Sequence, residues 1–197
     1  MLFVLLAALL LVPAATRLAC PSYDELADEF AAHLSPSTYQ GLWYEAYSHN
    51  VFLVDSCHCT RYNFTLRTDN TFTDVFTCHK NAADGKIFTV PNDGRYDTTT
   101  PGKMVESLGP AHPPYWVLGL WNEHGVLMTS ASSKNEPYAF ALVYACVGSP
   151  LLGEYTYFFS RNDTIPALVY KEMRTFALER NISLSSVRKV PMDGCKW

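Results

Sequence analysis

Cysteine and histidine residues at short spacings are the first residues in this sequence whose chemistry can be assigned. They occur in two segments, Cys57-His58-Cys59 and Cys78-His79. Thiolate and imidazole groups at such spacings could bind Zn²⁺. The same sulfurs could instead form disulfides, because Cys20, Cys146 and Cys195 bring the cysteine count to six, an even number typical of secreted, disulfide-bonded domains. We therefore expect three disulfides and no bound metal.

No nucleophile or acid–base group stands out in the rest of the sequence. Serine residues lack a strand–turn–helix elbow, and no glycine-rich phosphate loop is present. Four histidines lie at expected turns or helix ends: His33, His49, His112 and His124. An enzyme would need a carboxylate or phenol inside the fold, and Asp74, Glu106 and Tyr144 are the residues to test. We expect neither catalysis nor a cofactor.

Aromatic side chains are numerous enough to bind a hydrophobic molecule. Phe, Trp and Tyr make up 14% of the chain, and such rings could line an apolar pocket. We expect Tyr47, Phe64, Trp116 and Phe140 to contact the ligand. Because side chains alternate between the two faces of a strand, an error of one residue in register would reverse every one of these assignments.

Short strands are the elements predicted to position these rings. Alternating residues at 62–66 and 72–76, separated by the turn Thr68-Asp69-Asn70, predict a hairpin. Asn92-Asp93-Gly94 is one of several further predicted turns. The other predicted strands are residues 87–90, 103–107, 116–121, 126–130, 140–145 and 155–160. Eight or so short strands at regular spacing predict an antiparallel barrel or sandwich.

Two segments have helical periodicity. Residues 23–34 predict a short helix that ends at Ser35-Pro36-Ser37. Residues 165–180 predict a longer helix, with Thr164 as its cap and Pro166 in its first turn.

The start of the chain and its charge indicate where the protein acts. Residues 1–19 have the apolar run and small residues of a signal peptide, so we expect a secreted, extracellular protein with one domain at 20–197. No second apolar run is long enough to span a membrane. The net charge of −4 argues against a nucleic-acid partner. Glycosylation sequons at Asn63, Asn162 and Asn181 fit the secretory route.

Three ordered sequence blocks resemble the lipocalin family. Gly41-Leu42-Trp43-Tyr44 is similar to the G-x-W signature of its first strand, and residues 155–162 resemble its last strand, with Arg161 at the arginine of the family. Residues 115–118 and 138–146 also resemble strands of the apolipoprotein D-like group, which is the closest group. A weaker similarity links residues 121–126 to the lipocalin domain of violaxanthin de-epoxidase. The family's threonine-aspartate-tyrosine group is absent from this sequence. Thr129-Ser130-Ala131 stands near its place instead.

The resemblance implies an all-β, eight-stranded antiparallel up-and-down barrel with a short N-terminal helix and one C-terminal helix packed on it. Such proteins bind and transport or sequester a fatty acid, sterol, retinoid, carotenoid or bilin. The alternative is a lipocalin-fold enzyme, similar to the de-epoxidase, that acts on a carotenoid-type lipid. Residues 51–54 (VFLV) are expected at the barrel mouth, as a lid or as a docking surface for a receptor or membrane surface.

The resemblance also implies structural roles for particular residues. Gly41 lets the chain bend into the first strand, and Trp43 closes the barrel floor beneath Arg161. The implied disulfides are Cys20–Cys146 and Cys59–Cys195, which leaves Cys57–Cys78 as the third. A swap that joins Cys57 to Cys195 and Cys59 to Cys78 stays open.

Overall fold

The structure is a computed structural model that describes residues 20–49, 56–107, 112–132, 135–147 and 153–197. The predicted signal peptide, residues 1–19, lies outside the described residues. The predicted mouth segment, residues 51–54, also lies outside them.

Eight antiparallel strands form a closed barrel. Consecutive strands pair from β2 to β8, and β1 closes the barrel because it pairs with both β2 and β8. A ninth strand, β9, pairs with the last three residues of β1. The strands are β1 Gly41–His49, β2 Cys57–Leu66, β3 Thr71–Lys80, β4 Ile87–Tyr96, β5 Lys103–Ser107, β6 Pro114–Trp121, β7 Phe140–Cys146, β8 Glu154–Ser160 and β9 Val187–Lys189. The predicted up-and-down barrel is confirmed.

The N-terminal segment differs from its prediction, because three short helices replace the single helix expected at 23–34. They are α1 Tyr23–Leu26, α2 Glu29–Ala32 and α3 Pro36–Tyr39. Asp28 has an extended backbone, and its side chain accepts a hydrogen bond from the Phe30 N–H at 2.8 Å. This cap starts α2 and so prevents one continuous helix. Ser35 caps α3 with Pro36 in the first turn, so the residues expected to end a helix begin one.

Two further sequence predictions about the sheet are wrong. Residues 126–130 form no strand, and only an isolated bridge joins Leu127 to Trp121. Asn92-Asp93-Gly94 is not a turn, because β3 and β4 pair continuously through Asp74–Asn92 and Phe72–Gly94. The ladder continues past residues of low strand propensity because both sides of β4 have hydrogen-bonded neighbours.

The C-terminal helix α4 spans Ala167–Glu179 and packs on the outer wall of the barrel. Its buried residues are Val169, Met173, Phe176 and Ala177, which are spaced to form one face. Phe158 and Leu142 of the barrel wall belong to the same apolar cluster. No helix among the described residues is long and apolar enough to cross a bilayer.

Three disulfides join the pairs Cys20–Cys146, Cys57–Cys78 and Cys59–Cys195. These are the pairs implied by the resemblance, and the swapped pairing does not occur. Their Cα atoms are 5.5 to 5.7 Å apart, within the usual range. Because these sulfurs are oxidised, the thiolate ligands required by the zinc alternative are not available.

Candidate functional site

The closed end of the barrel is sealed by Trp43 and Arg161. The Trp43 side chain is fully buried, and its Nε1 donates a hydrogen bond to the Tyr39 carbonyl at 2.9 Å. The Arg161 guanidinium lies 3.7 Å from the centre of the Trp43 ring. It also donates hydrogen bonds to the carbonyls of Leu42, Thr38, Tyr39, Gln40 and Tyr138. Cation–π contact and these donors together fasten α3 to the barrel floor.

The backbone conformation explains why a glycine stands two residues before this tryptophan. Gly41 has a φ of +99°, a conformation that glycine adopts far more readily than residues with a side chain. It stands between the end of α3 and the first residues of β1, so the chain can turn sharply from the floor into the barrel wall.

Strand pleating separates the wall residues into an interior cluster and an outer cluster. The interior cluster contains Trp43, Phe64, Phe72, Met104, Tyr115, Val117, Ala141, Val143 and Phe159. The outer cluster contains residues that alternate with these, such as Leu142 and Phe158, and it includes the buried face of α4. Each strand of the β6–β8 region is therefore buried on both faces.

The four residues expected to contact the ligand are divided between these two clusters. Phe64 lies in the interior cluster. Tyr47 stacks on Tyr170 of α4 with ring centres 3.7 Å apart, so it faces outward. Trp116 packs edge-on against Tyr23 of α1, and Phe140 belongs to the outer cluster. The structure therefore brings only Phe64 into the barrel interior.

Inward side chains near the floor are buried, and some of those nearer the mouth are partly exposed, although Phe76 beside them is only 6% exposed. Phe64 and Phe72 are 3% and 1% exposed, whereas Tyr62, Val90 and Tyr157 also point inward and keep partial exposure. Because these three side chains point into the barrel, the surface that they expose must face the lumen or the barrel mouth. Residues 50–55, 108–111 and 148–152 lie outside the described residues.

Two acidic side chains face each other inside the barrel. Asp74 on β3 is fully buried, and neither of its carboxyl oxygens has a hydrogen-bond donor among the described residues. The Glu106 carboxyl on β5 lies against it, close enough for a hydrogen bond when one group is protonated, and Oε1 of Glu106 is buried without a donor. Burial raises the pKa of both carboxyls, and repulsion from Glu106 raises that of Asp74 further.

Gly94 makes room for a neighbouring ring between the strands of the two carboxyls. It lies on β4, between Phe72 of β3 and Glu106 of β5 in the register. A Cβ at position 94 would be 2.2 Å from the Phe72 ring. Because Gly94 has no side chain, the Phe72 ring occupies the place that a Cβ would take, between the strands that carry Asp74 and Glu106.

A third acid, Glu45, lies on β1 in the same interior. It is fully buried, and its Oε2 accepts a hydrogen bond from the Tyr62 hydroxyl at 3.0 Å. Burial raises the pKa of Glu45. The phenols of Tyr62, Tyr115 and Tyr157 have raised pKa values because of burial and these neighbouring carboxyls, so they remain neutral hydrogen-bonding groups.

Catalytic candidates from the sequence are also divided between inside and outside. Asp74 and Glu106 are together in the interior, whereas Tyr144 belongs to the outer cluster under α4. Sequence reasoning missed Glu45 and Tyr62 as a hydrogen-bonded pair. The alternation Trp43, Glu45 along β1 contained the signal, since it places Glu45 on the same face as the floor tryptophan.

A second concave region lies outside the barrel. It is a groove of about 390 Å³ whose lining includes Tyr44, Arg161, Asn162, Asp163 and the C-terminal Trp197. It is open and largely polar, which does not suit a hydrophobic molecule. The sequon residues Asn63, Asn162 and Asn181 are all exposed on the outer surface.

Several solved structures have a fold similar to that of this chain. No protein-family model and no curated protein matches the sequence. Apocrustacyanin C1 superposes with a TM-score of 0.64 at 16% identity, covering 90% of this chain and 89% of that chain. Lobster apocrustacyanin A1 gives the same TM-score at 15% identity, with coverage of 90% and 89%. Insecticyanin from the tobacco hornworm Manduca sexta gives 0.65 at 14% identity, again with 90% and 89% covered. With its closed eight-stranded barrel, floor tryptophan and C-terminal helix, this chain has the lipocalin fold.

Proposed function

We propose that this protein is a secreted, extracellular carrier that binds one small hydrophobic molecule in the barrel lumen and releases it chemically unchanged. The observation that carries the proposal is the gradient along the interior. Phe64 and Phe72 are buried near the floor, while Tyr62, Val90 and Tyr157 above them are partly exposed and form a largely aromatic wall. Apolar ligand surface that moves from water to this wall contributes about 25 cal/mol per Å² before the cost of association.

The ligand class follows from the size and lining of an eight-stranded barrel. Such a barrel has room for one small molecule, and aromatic walls suit flat or extended apolar bodies. Fatty acids, sterols, retinoids, carotenoids and bilins are the candidate ligands. The resemblance of the sequence to apolipoprotein D-like lipocalins supports the same class.

Two tryptophan substitutions on one strand test whether the lumen is the site. Val90 faces inward beside Phe76, and Thr89 is its exposed, outward neighbour. Nile red, a neutral apolar dye, is titrated into delipidated protein and its emission is recorded. Val90→Trp fills lumen space and should weaken dye binding at least about tenfold, a loss of about 1.4 kcal/mol. Thr89→Trp should leave the affinity within about twofold of wild type. Equal effects of the two variants would refute lumen binding.

Extraction of the secreted protein tests whether the ligand is carried unchanged. Native mass spectrometry of the deglycosylated protein gives the mass of the bound molecule, and extraction identifies it. Recovery of the same molecule after prolonged incubation supports a carrier. An empty protein that also fails to bind Nile red would instead indicate a filled barrel that acts through protein contacts.

One observation favours a catalytic alternative. The facing carboxyls of Asp74 and Glu106 have raised pKa values, which is typical of general acids and bases. A lipocalin-fold enzyme acting on a carotenoid-type lipid would use them to move a proton. Conversion of the bound molecule during incubation, abolished by Glu106→Gln, would assign that activity.

A further inference from the structure

The lumen contains a pair of acidic groups, Asp74 and Glu106, without a basic partner among the described residues. Asp74 is fully buried, and Glu106 has a buried carboxyl oxygen. No basic side chain is among the described groups that influence the protonation of Asp74 or Glu106. The nearest cation to the floor, Arg161, is held by backbone carbonyls and by the Trp43 ring. When Asp74 and Glu106 ionise, no basic side chain among the described residues therefore neutralises their charge.

Buried, unpaired carboxyls are unfavourable in the empty protein. Transfer of a carboxylate out of water costs several kcal/mol unless a partner replaces its hydration, and both oxygens of Asp74 lack a donor among the described residues. Protonation relieves part of this cost, since one shared proton would join the two carboxyls. A positively charged group placed between them would offset more of it, because it would add charge-assisted hydrogen bonds.

The surroundings of the acid pair also suit a cation. Phe64 lies opposite Asp74 in the β2–β3 register, and Tyr62 packs against Phe159 and Phe76 with ring centres 4.9 and 5.2 Å apart. Aromatic faces attract ammonium groups. The aromatic rings and the neighbouring carboxyls together form a site for a cation that is attached to an apolar body.

We propose that the lumen selects ligands with an ammonium group on an apolar body, and that Asp74 and Glu106 bind the ammonium group while the aromatic wall binds the apolar body. This inference rests on the proposed function, because it assigns the class of ligand that the carrier takes. Glu45, whose Oε2 accepts a hydrogen bond from Tyr62, lies further along the same interior, where attraction from Arg188 opposes the effect of burial on its pKa. A fatty acid would place its carboxylate against these acids and is disfavoured.

Three probes of equal chain length test the head-group preference. Dodecylamine, dodecanol and dodecanoate are each used to displace Nile red from the delipidated protein near neutral pH. We expect the ammonium probe to bind at least about tenfold more tightly than the alcohol, and dodecanoate to bind most weakly. The double variant Asp74→Asn, Glu106→Gln should bind the amine and the alcohol within about threefold of each other. Asp97→Asn, an exposed acid on the surface, is the matched control and should keep the wild-type preference.

Each outcome separates the inference from the proposed function. Equal binding of the three probes, or a preference for the amine that persists in the double variant, would overturn the inference and leave the carrier intact. Failure of every probe and of Nile red would refute the carrier itself.

Proton release gives a second test that needs no variant. The groups that face the acid pair are Asn92 on β4, Tyr115 on β6, Tyr39 on α3, and Tyr62 and Tyr157 on β2 and β8, all of them uncharged near neutral pH. An ammonium group that binds the pair should therefore expel the shared proton. Calorimetric titrations in two buffers of different ionisation enthalpy should show proton release with dodecylamine and none with dodecanol. Identical proton counts for the two probes would contradict the proposed contact.

Discussion

Glu106→Gln should make the ligand-free protein less sensitive to rising pH. Glutamine keeps the size of the side chain and can donate a hydrogen bond to Asp74, but it has no charge that repels Asp74. Burial raises the pKa of Glu106 from 4.5 to about 7 in the folded protein. The folded chain thus keeps a proton that the unfolded chain releases over this interval.

The sign and size of the effect follow from linkage. Because the folded state binds more protons between about pH 4.5 and about pH 7, the free energy of unfolding falls as pH rises through this window and levels off above it. One pKa unit corresponds to about 1.36 kcal/mol, so the difference between 4.5 and about 7 corresponds to roughly 3 kcal/mol. This is a large fraction of the 5–15 kcal/mol that is roughly typical of a domain.

Urea unfolding with intact disulfides measures this difference directly. Delipidated wild type and Glu106→Gln are unfolded at several pH values from about 4 to about 8, and the free energies are compared pH by pH. The drop in unfolding free energy across the series should be roughly 3 kcal/mol smaller in the variant than in wild type. Asp74 loses a repelling neighbour in the same variant, which acts in the same direction.

The control for this experiment is Glu172→Gln, on the exposed face of α4. Its pH dependence should follow that of wild type within about 0.5 kcal/mol. If Glu106→Gln shows the wild-type pH dependence instead, burial does not raise the pKa of Glu106 in the folded protein, and the argument for an acid pair buried in the lumen fails.

Three further substitutions test the floor, the β4 strand and the outer wall. A lysine at position 161 cannot replace the five hydrogen bonds to carbonyls or the planar contact with Trp43. Arg161→Lys should therefore lower the free energy of urea unfolding by about 2–4 kcal/mol. A loss below about 0.5 kcal/mol would contradict this role of Arg161. Gly94→Ala forces a Cβ into the Phe72 ring and should destabilise by about 1–3 kcal/mol, whereas an unchanged urea midpoint would show that the ring can move aside. Tyr47→Leu should leave the Nile red affinity within about twofold of wild type, and a tenfold loss would place this ring in the lumen.

The strands were predictable where only one face of the sheet is buried, and the inward residues were not predictable where both faces are buried. β7 is covered by the interior on one side and by α4 on the other, so its run of apolar residues has no alternation to indicate which face is inward. Phe140 on β7 and Trp116 on β6, both expected to contact the ligand, face outward, toward the outer cluster and Tyr23 respectively. Tyr47 is outward because a bulge shifts the register of β1 between Glu45 and Tyr47, which reverses the alternation counted from Trp43.

Gly94 shows a different limit of sequence reasoning. Asn92-Asp93-Gly94 has the composition of a tight turn, and only the tertiary structure shows that the glycine makes room for a ring from the neighbouring strand. Glu106, the β5 partner of Gly94, lies against Asp74 in the same interior. Asn92-Asp93-Gly94, whose composition predicts a turn, is therefore part of the strand beside the acid pair.

The disulfides give a physical reason why the fold tolerates unpaired acids in its interior. Cys20–Cys146 and Cys59–Cys195 connect residues 126 and 136 positions apart. By the chain-entropy account, closing loops of this length stabilises the folded state by about 4–5 kcal/mol each. This exceeds the roughly 3 kcal/mol attributed to the ionised Glu106. The barrel can therefore stay folded while it is empty and its acids are unpaired, and a bound cation would then contribute to ligand affinity rather than being required for folding.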